Sequence, residues 1–210
     1  MFGCGKPLRW QDAARGSWAV LLTLLVLSAV QSARAADVDN PAPVAATEPP
    51  PVWSLYEFRA GVFDHGAGLI GPHEYGGADL NLEFLTPRLP FLQDSVVSWL
   101  MPRLQVGGMA NFAGKTSFAY AGFAWTLSIT PRWFIEPLFG GSINNAPNDT
   151  MHPNQLDLGC HEMFHTGFTT GYRLTDHWNI MATWEHISNA GLCVKNPGLN
   201  DFGLKLGYSF

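Results

Sequence analysis

The last ten residues, DFGLKLGYSF, alternate without a break. Phe202, Leu204, Leu206, Tyr208 and Phe210 fall on one face of an extended chain, and Asp201, Gly203, Lys205 and Ser209 on the other. Side chains of a strand point to opposite faces with period two, whereas a helix would scatter these residues around its circumference. The same period recurs upstream. In DLNLEF (79–84), Leu80, Leu82 and Phe84 oppose Asp79, Asn81 and Glu83; in YEFRAGV (56–62), Tyr56, Phe58, Ala60 and Val62 oppose Glu57, Arg59 and Gly61. FHTGFTTGYR (164–173) sets Phe164, Phe168 and Tyr172 against His165, Gly167, Gly171 and Arg173. No long stretch carries helical periodicity, so the chain reads as all-β.

Eight such segments are expected, at 53–66, 76–85, 103–113, 116–129, 133–143, 162–174, 178–188 and 200–210. Their connections alternate between tight turns, TPRW (130–133) and LTDHW (174–178), and long loops, 144–160 and 189–200. A soluble sandwich or barrel would turn its apolar faces inward; an outer-membrane barrel turns them outward. The polar faces here mix charge with glycine, as a narrow polar interior requires. Aromatics sit near strand ends, where interfacial girdles form. The chain ends on an apolar alternating strand with a terminal Phe, resembling the strand by which the outer-membrane assembly machinery recognises its clients. Lipid tolerates no open sheet edge, so the strands must close. The expected fold is an eight-stranded antiparallel transmembrane β-barrel of the bacterial outer membrane, spanning 53–210.

The preceding residues divide in two. Lys6, Arg9 and Arg15 lead into the apolar run WAVLLTLLVLSAV (18–30), and ARA ends at Ala35. That order reads as a secretory signal peptide over 1–35, its run too short for a transmembrane helix. Residues 36–52, ADVDNPAPVAATEPPPV, read as a Pro-rich flexible leader. Residues 36–210 hold 8 Lys+Arg against 16 Asp+Glu, after removal of four basic and one acidic residue from the totals of 12 and 17. That acidic balance argues against nucleic acid as a partner. Cys160 and Cys193 remain beyond the leader, in a chain bound for an oxidising compartment, and a disulfide between them is open to them.

If Phe210 and the N-terminus are periplasmic, the long loops 144–160 and 189–200 face outward and carry both cysteines. A third long connection, 86–102, faces inward, and FLQDSVVSWLM (91–101) within it reads as a short interfacial helix. The seventh strand then runs outward. Its row Ile180, Ala182, Trp184, His186, Ser188 is the apolar one, the row expected to face lipid. A Ser beside a His is the beginning of an activated nucleophile. On the lipid face it would act on a membrane component.

HISNAGL (186–192) followed by NPG (196–198) and an alternating terminal strand resembles the outer-membrane lipid A 3-O-deacylase family (PagL). The resemblance spans the barrel and is most specific over 185–210. It implies an esterase that removes the 3-O-linked acyl chain of lipid A, the anchor of lipopolysaccharide, by acyl transfer at the outer-leaflet end of the barrel. By motif position it implies Ser188 as nucleophile and His186 as base. It also implies an oxyanion-stabilising region around Asn189, Asn196, Gly191 and the N–H groups near Ala190. Where the family pattern has an acid to orient the His, this chain has Asn200. Asp201 carries the charge but points inward by alternation, and a bulge at the strand start would be needed to bring it to the His. No cofactor and no metal are called for, and a homodimer is compatible with this reading.

Other readings compete. A His-x-Ser at a strand end also fits a polar rim where lipid gives way to headgroups. A non-enzymatic structural or adhesion barrel, its triad degraded at Asn200, is the alternative function. HEMFH (161–165) matches the zinc-protease spelling, but that motif needs a helix to bring both His to one metal; in a strand they stand about 13 Å apart. Glu57, Arg59, Asp79, Glu83, Glu136, Glu185, Asp201 and Lys205 read as an internal ion-pair network rather than a channel lining, because eight strands leave room only for side chains.

Overall fold

The computed structural model describes residues 55–67, 76–90, 98–147 and 155–210. The expected signal peptide and leader lie outside these, as do residues 91–97 of the expected interfacial helix. Of that helix the described residues contain one 3₁₀ turn, Ser98–Leu100.

The described strands are β1 (Glu57–His65), β2 (Ala78–Arg88), β3 (Arg103–Asn111), β4 (Phe118–Ala124), β5 (Leu127–Ser128), β6 (Trp133–Asn144), β7 (Glu162–Arg173), β8 (Trp178–Ser188) and β9 (Leu199–Ser209). All pairings are antiparallel. β1 pairs with both β2 and β9, and β4 and β5 both pair with β6, so the sheet closes on itself. β4 and β5 are two pieces of one stave, which makes an eight-stranded ring.

The interruption at Trp125–Thr126 departs from the unbroken strand expected at 116–129. Trp125 N–H donates to Pro137 O at 3.0 Å, so the Pro137 backbone turns toward the break. Proline has no N–H to return, and the ladder lapses beside it. β2 also runs to Arg88, past the expected end at 85, through an irregularity between Leu85 and Arg88.

Register keeps like with like. Phe58 faces Phe84, Ala60 faces Leu82 and Val62 faces Leu80 on one side of the β1–β2 pair; Arg59 faces Glu83 on the other. The first set is exposed, apart from half-buried Phe84, and the second is buried. Val62 is 59% exposed while Arg59 is 1% exposed, an inversion that only a lipid solvent rewards. Tyr56 stacks on Phe84 and Phe210, and Trp178 packs on Tyr208, forming an aromatic belt at the end where both termini of the barrel lie.

The interior is filled with paired charge. Arg59 binds Glu57 (2.7 Å), Glu83 (3.1 Å) and Glu136 (2.6 Å); Arg103 binds Glu57 (2.7 Å); Lys205 binds Glu83 (2.5 Å) and Glu185 (2.6 Å). Buried charges persist only when partnered in this way. Phe63 also points inward, and a Cβ at Gly203 on neighbouring β9 would enter its ring, so glycine there is a packing requirement.

Candidate active site

β8 presents Trp184, His186 and Ser188 outward, each half-buried, and sends Glu185, Ile187 and Asn189 inward. Across the seam, His186 is in register with Asn200 of β9. The two side chains meet: His186 Nδ1 lies 3.0 Å from Asn200 Oδ1. An amide oxygen can only accept, so the ring proton sits on Nδ1 and the Nε2 lone pair is left to act as base.

The ring is held on two further sides. The Trp184 indole stacks on it with centroids 5.9 Å apart and planes 17° from parallel. Gly198, at φ 70°, lies against the ring: a Cβ there would stand 2.7 Å from His186 Cε1. The positive φ and the close approach both require glycine. Neither Trp184 nor Gly198 was assigned a role from sequence. The NPG spelling pointed to Gly198, whereas nothing in the sequence distinguished Trp184 from other apolar residues of its row.

Asn200 is 1% exposed although its row faces outward. Asp201 faces the lumen, where its Oδ1 accepts the Gly66 N–H at 2.9 Å. In register it lies between Glu185 of β8 and His65 of β1, on the side of the sheet away from His186. The alternation is unbroken here, no bulge intervenes, and the fallback in which Asp201 orients the imidazole is geometrically excluded.

Ser188 stands one strand step beyond His186, opposite Phe164 of β7. Among the described residues no hydrogen bond joins Ser188 to His186. Beside Ser188 opens a groove of about 510 Å³ lined by Phe139, Gly141, Met163, Phe164, Leu192 and the Cys160–Cys193 bridge.

The loop after β8 is more constrained than its length suggests. Ala190 (φ 52°) and Gly191 (φ 80°) both adopt left-handed backbone, and Leu192 N–H donates to Asn189 O at 3.0 Å, closing a tight turn. A left-handed alanine is locally strained, a condition that clusters at functional sites. The Asn189 side chain donates to Leu158 O (3.0 Å) and Lys195 O (2.6 Å), and its Oδ1 accepts Gly191 N–H (3.0 Å). Asn189 N–H donates to Asn196 Oδ1 at 2.9 Å. The donors of Asn189 and Gly191 are therefore engaged within the loop, contrary to the expectation that they face an oxyanion. Among the described residues, Ala190 N–H and Asn196 Nδ2 make no hydrogen bond. A disulfide joins Cys160 to Cys193, and Lys195 pairs with Asp157 at 2.6 Å, tying this loop to the segment before β7.

The two imidazoles of HEMFH take separate partners. His161 Nδ1 donates to Asn144 O at 3.1 Å in the loop, and His165 Nε2 lies 3.2 Å from Glu185 Oε2 in the lumen.

Comparison with known proteins adds a family. The sequence profile described as lipid A 3-O-deacylase (PagL) matches residues 89–209. A crystal structure of the outer membrane enzyme PagL superposes with a TM-score of 0.50 at 15% identity, covering 73% of this chain and 99% of that one. Neisserial surface protein A matches at TM-score 0.48 and 11% identity over 75% of this chain and 97% of its own. A chain from work on the de novo design of transmembrane β-barrels matches at TM-score 0.48 and 13% identity, over 78% of this chain and 100% of its own. At such identities these likenesses concern the fold alone. No curated protein sequence matches.

Proposed function

This chain belongs to the lipid A 3-O-deacylase (PagL) family, outer-membrane hydrolases that act on lipid A, and from that membership we propose a serine esterase in which Ser188 and His186 remove the 3-O-linked acyl chain. The observation that carries the assignment to these residues is the His186–Asn200 hydrogen bond on the outward face, with Ser188 next along the same row.

The steps follow from the tautomer. His186 Nε2 takes the Ser188 hydroxyl proton as Oγ attacks the ester carbonyl carbon. The oxyanion is met by Ala190 N–H and Asn196 Nδ2, the two donors the loop leaves unengaged. The C–O bond to the sugar breaks, and the imidazolium returns its proton to the departing 3-hydroxyl oxygen. Water, deprotonated by His186 Nε2, then attacks the acyl-serine ester, releasing the fatty acid and restoring Ser188. The ester comes to Ser188 from the outer leaflet, so the substrate supplies its own lipid surroundings. β9, with Phe210 directly after it, is the segment the assembly machinery would engage.

A second reading has one observation in its favour. Asn200 stands where the family pattern has an acid, and a neutral amide cannot stabilise imidazolium as an anion does. A barrel kept as a scaffold after losing that acid would look the same at this position. Incubating the detergent-refolded protein with lipid A and weighing the products separates the two. Loss of one 3-hydroxyacyl mass, absent with Ser188→Ala, supports the esterase; unchanged lipid A supports the scaffold.

A further inference from the structure

On the lumenal side of the seam that carries His186 and Asn200, three strands converge on one point. His65 ends β1, Asp79 begins β2 and Asp201 follows Asn200 in β9. His65 Nδ1 lies 2.7 Å from Asp79 Oδ2 and 3.7 Å from Asp201 Oδ1. One nitrogen or oxygen from each residue falls within a 4.8 Å cluster, and none of the three is more than 1% exposed.

Charge sets this cluster apart from the rest of the interior. Glu57, Glu83, Glu136 and Glu185 each touch Arg59, Arg103 or Lys205. Asp79 and Asp201 touch neither an arginine nor a lysine among the described residues, and have only the His65 imidazole between them. Even a protonated His65 leaves one negative charge uncompensated. Their remaining contacts are neutral: Asn111 Nδ2 donates to Asp79 Oδ1 at 2.6 Å and Gly66 N–H donates to Asp201 Oδ1 at 2.9 Å. Two buried carboxylates converging on one imidazole carry a charge that a bound cation would balance.

We propose that His65, Asp79 and Asp201 bind a divalent cation inside the outer end of the barrel. One imidazole nitrogen with two carboxylate oxygens suits zinc or manganese better than calcium or magnesium, which prefer all-oxygen shells. Ligand atoms around a tetrahedral zinc stand about 3.4 Å apart at ordinary bond lengths. The 2.7 Å contact would open and the 3.7 Å contact close to reach that spacing. His65 ligates as the neutral imidazole and gives up its proton-sharing contact with Asp79. The ion clamps the outer ends of β1, β2 and β9, and through Asp201 it steadies the strand from which Asn200 reaches His186.

The test is zinc titration of the full chain, refolded in detergent and stripped with a chelator, followed by calorimetry and urea unfolding. One zinc per chain and a raised urea midpoint are expected, both lost in Asp201→Asn and in Asp79→Asn and both kept in Ser188→Ala. X-ray absorption of the zinc-loaded protein should report one imidazole among oxygen donors. No binding to the unsubstituted chain, full binding to both Asn variants, or a shell of two or more imidazoles overturns the site. Because Ser188→Ala binds as the unsubstituted chain does, failure here is distinct from failure of the esterase reading.

Discussion

His186 and Asn200 hydrogen-bond across the β8–β9 seam, Nδ1 to Oδ1 at 3.0 Å, on the face of the barrel that meets lipid. In the proposed mechanism an amide fixes the tautomer but contributes no charge to the imidazolium formed as Ser188 gives up its proton. Asn200→Asp therefore raises kcat, with KM little changed. The acid-to-amide change in a serine protease costs about 10⁴ in rate, which sets the upper scale of the gain. Initial-rate kinetics on lipid A in mixed micelles measures it. A flat or reduced kcat would show that the imidazole needs no anion here.

Gly198→Ala puts a methyl group 2.7 Å from His186 Cε1 on a backbone already at φ 70°. Left-handed backbone costs an alanine roughly 1 kcal/mol, and the ring must move to make room. Misplacing a reacting group by about 1 Å costs about 10²-fold. The variant should fold, with its urea midpoint slightly lowered, and lose about two orders of magnitude in kcat. Unchanged kcat would mean that the ring position tolerates the methyl group.

The Cys160–Cys193 bridge closes a segment of 33 residues. Chain-entropy reasoning gives such a cross-link about 3–4 kcal/mol against unfolding. The double Cys→Ser variant should lose a comparable amount by urea denaturation, and the oxidised protein should lose the same on reduction. Activity falls with it, because the bridge and the Lys195–Asp157 pair hold the loop that bears Ala190 and Asn196.

Lys205 neutralises Glu83 and Glu185 at once, with all three side chains fully buried. Lys205→Met fills the same space and leaves two carboxylates without their cation. Breaking a buried pair from one side costs about 3–5 kcal/mol. A loss of that size in the free energy of urea unfolding is expected, with catalysis in the surviving folded fraction preserved, since Lys205 points away from the outer row.

Much of this architecture was legible in the sequence because a barrel wall obeys one rule, alternation, that every strand repeats. The outward row of Trp184, His186 and Ser188 and the inward turn of Asp201 follow from counting by twos. The break at Trp125–Thr126 did not, since it depends on which neighbour the Pro137 nitrogen faces, a matter of register between strands. Asn189 and Gly191 were expected to face the ester and instead bond within their own loop. Loop hydrogen bonding is set by φ values such as that of Ala190, which no periodicity encodes. The His65–Asp79–Asp201 cluster escaped for a related reason: Asp201 is far from the other two in the chain, and only the closure of β1 against β9 brings it to them.

Covalent labelling tests the role of Ser188 most directly. The refolded chain is treated with a long-chain alkyl fluorophosphonate, which phosphonylates serines that a neighbouring base has activated, and the adduct is located by peptide mass spectrometry. One adduct is expected, on Ser188, faster with Asn200→Asp and slowed by orders of magnitude with His186→Ala. Labelling at another serine, or at Ser188 with a rate indifferent to His186, would contradict a Ser188–His186 esterase.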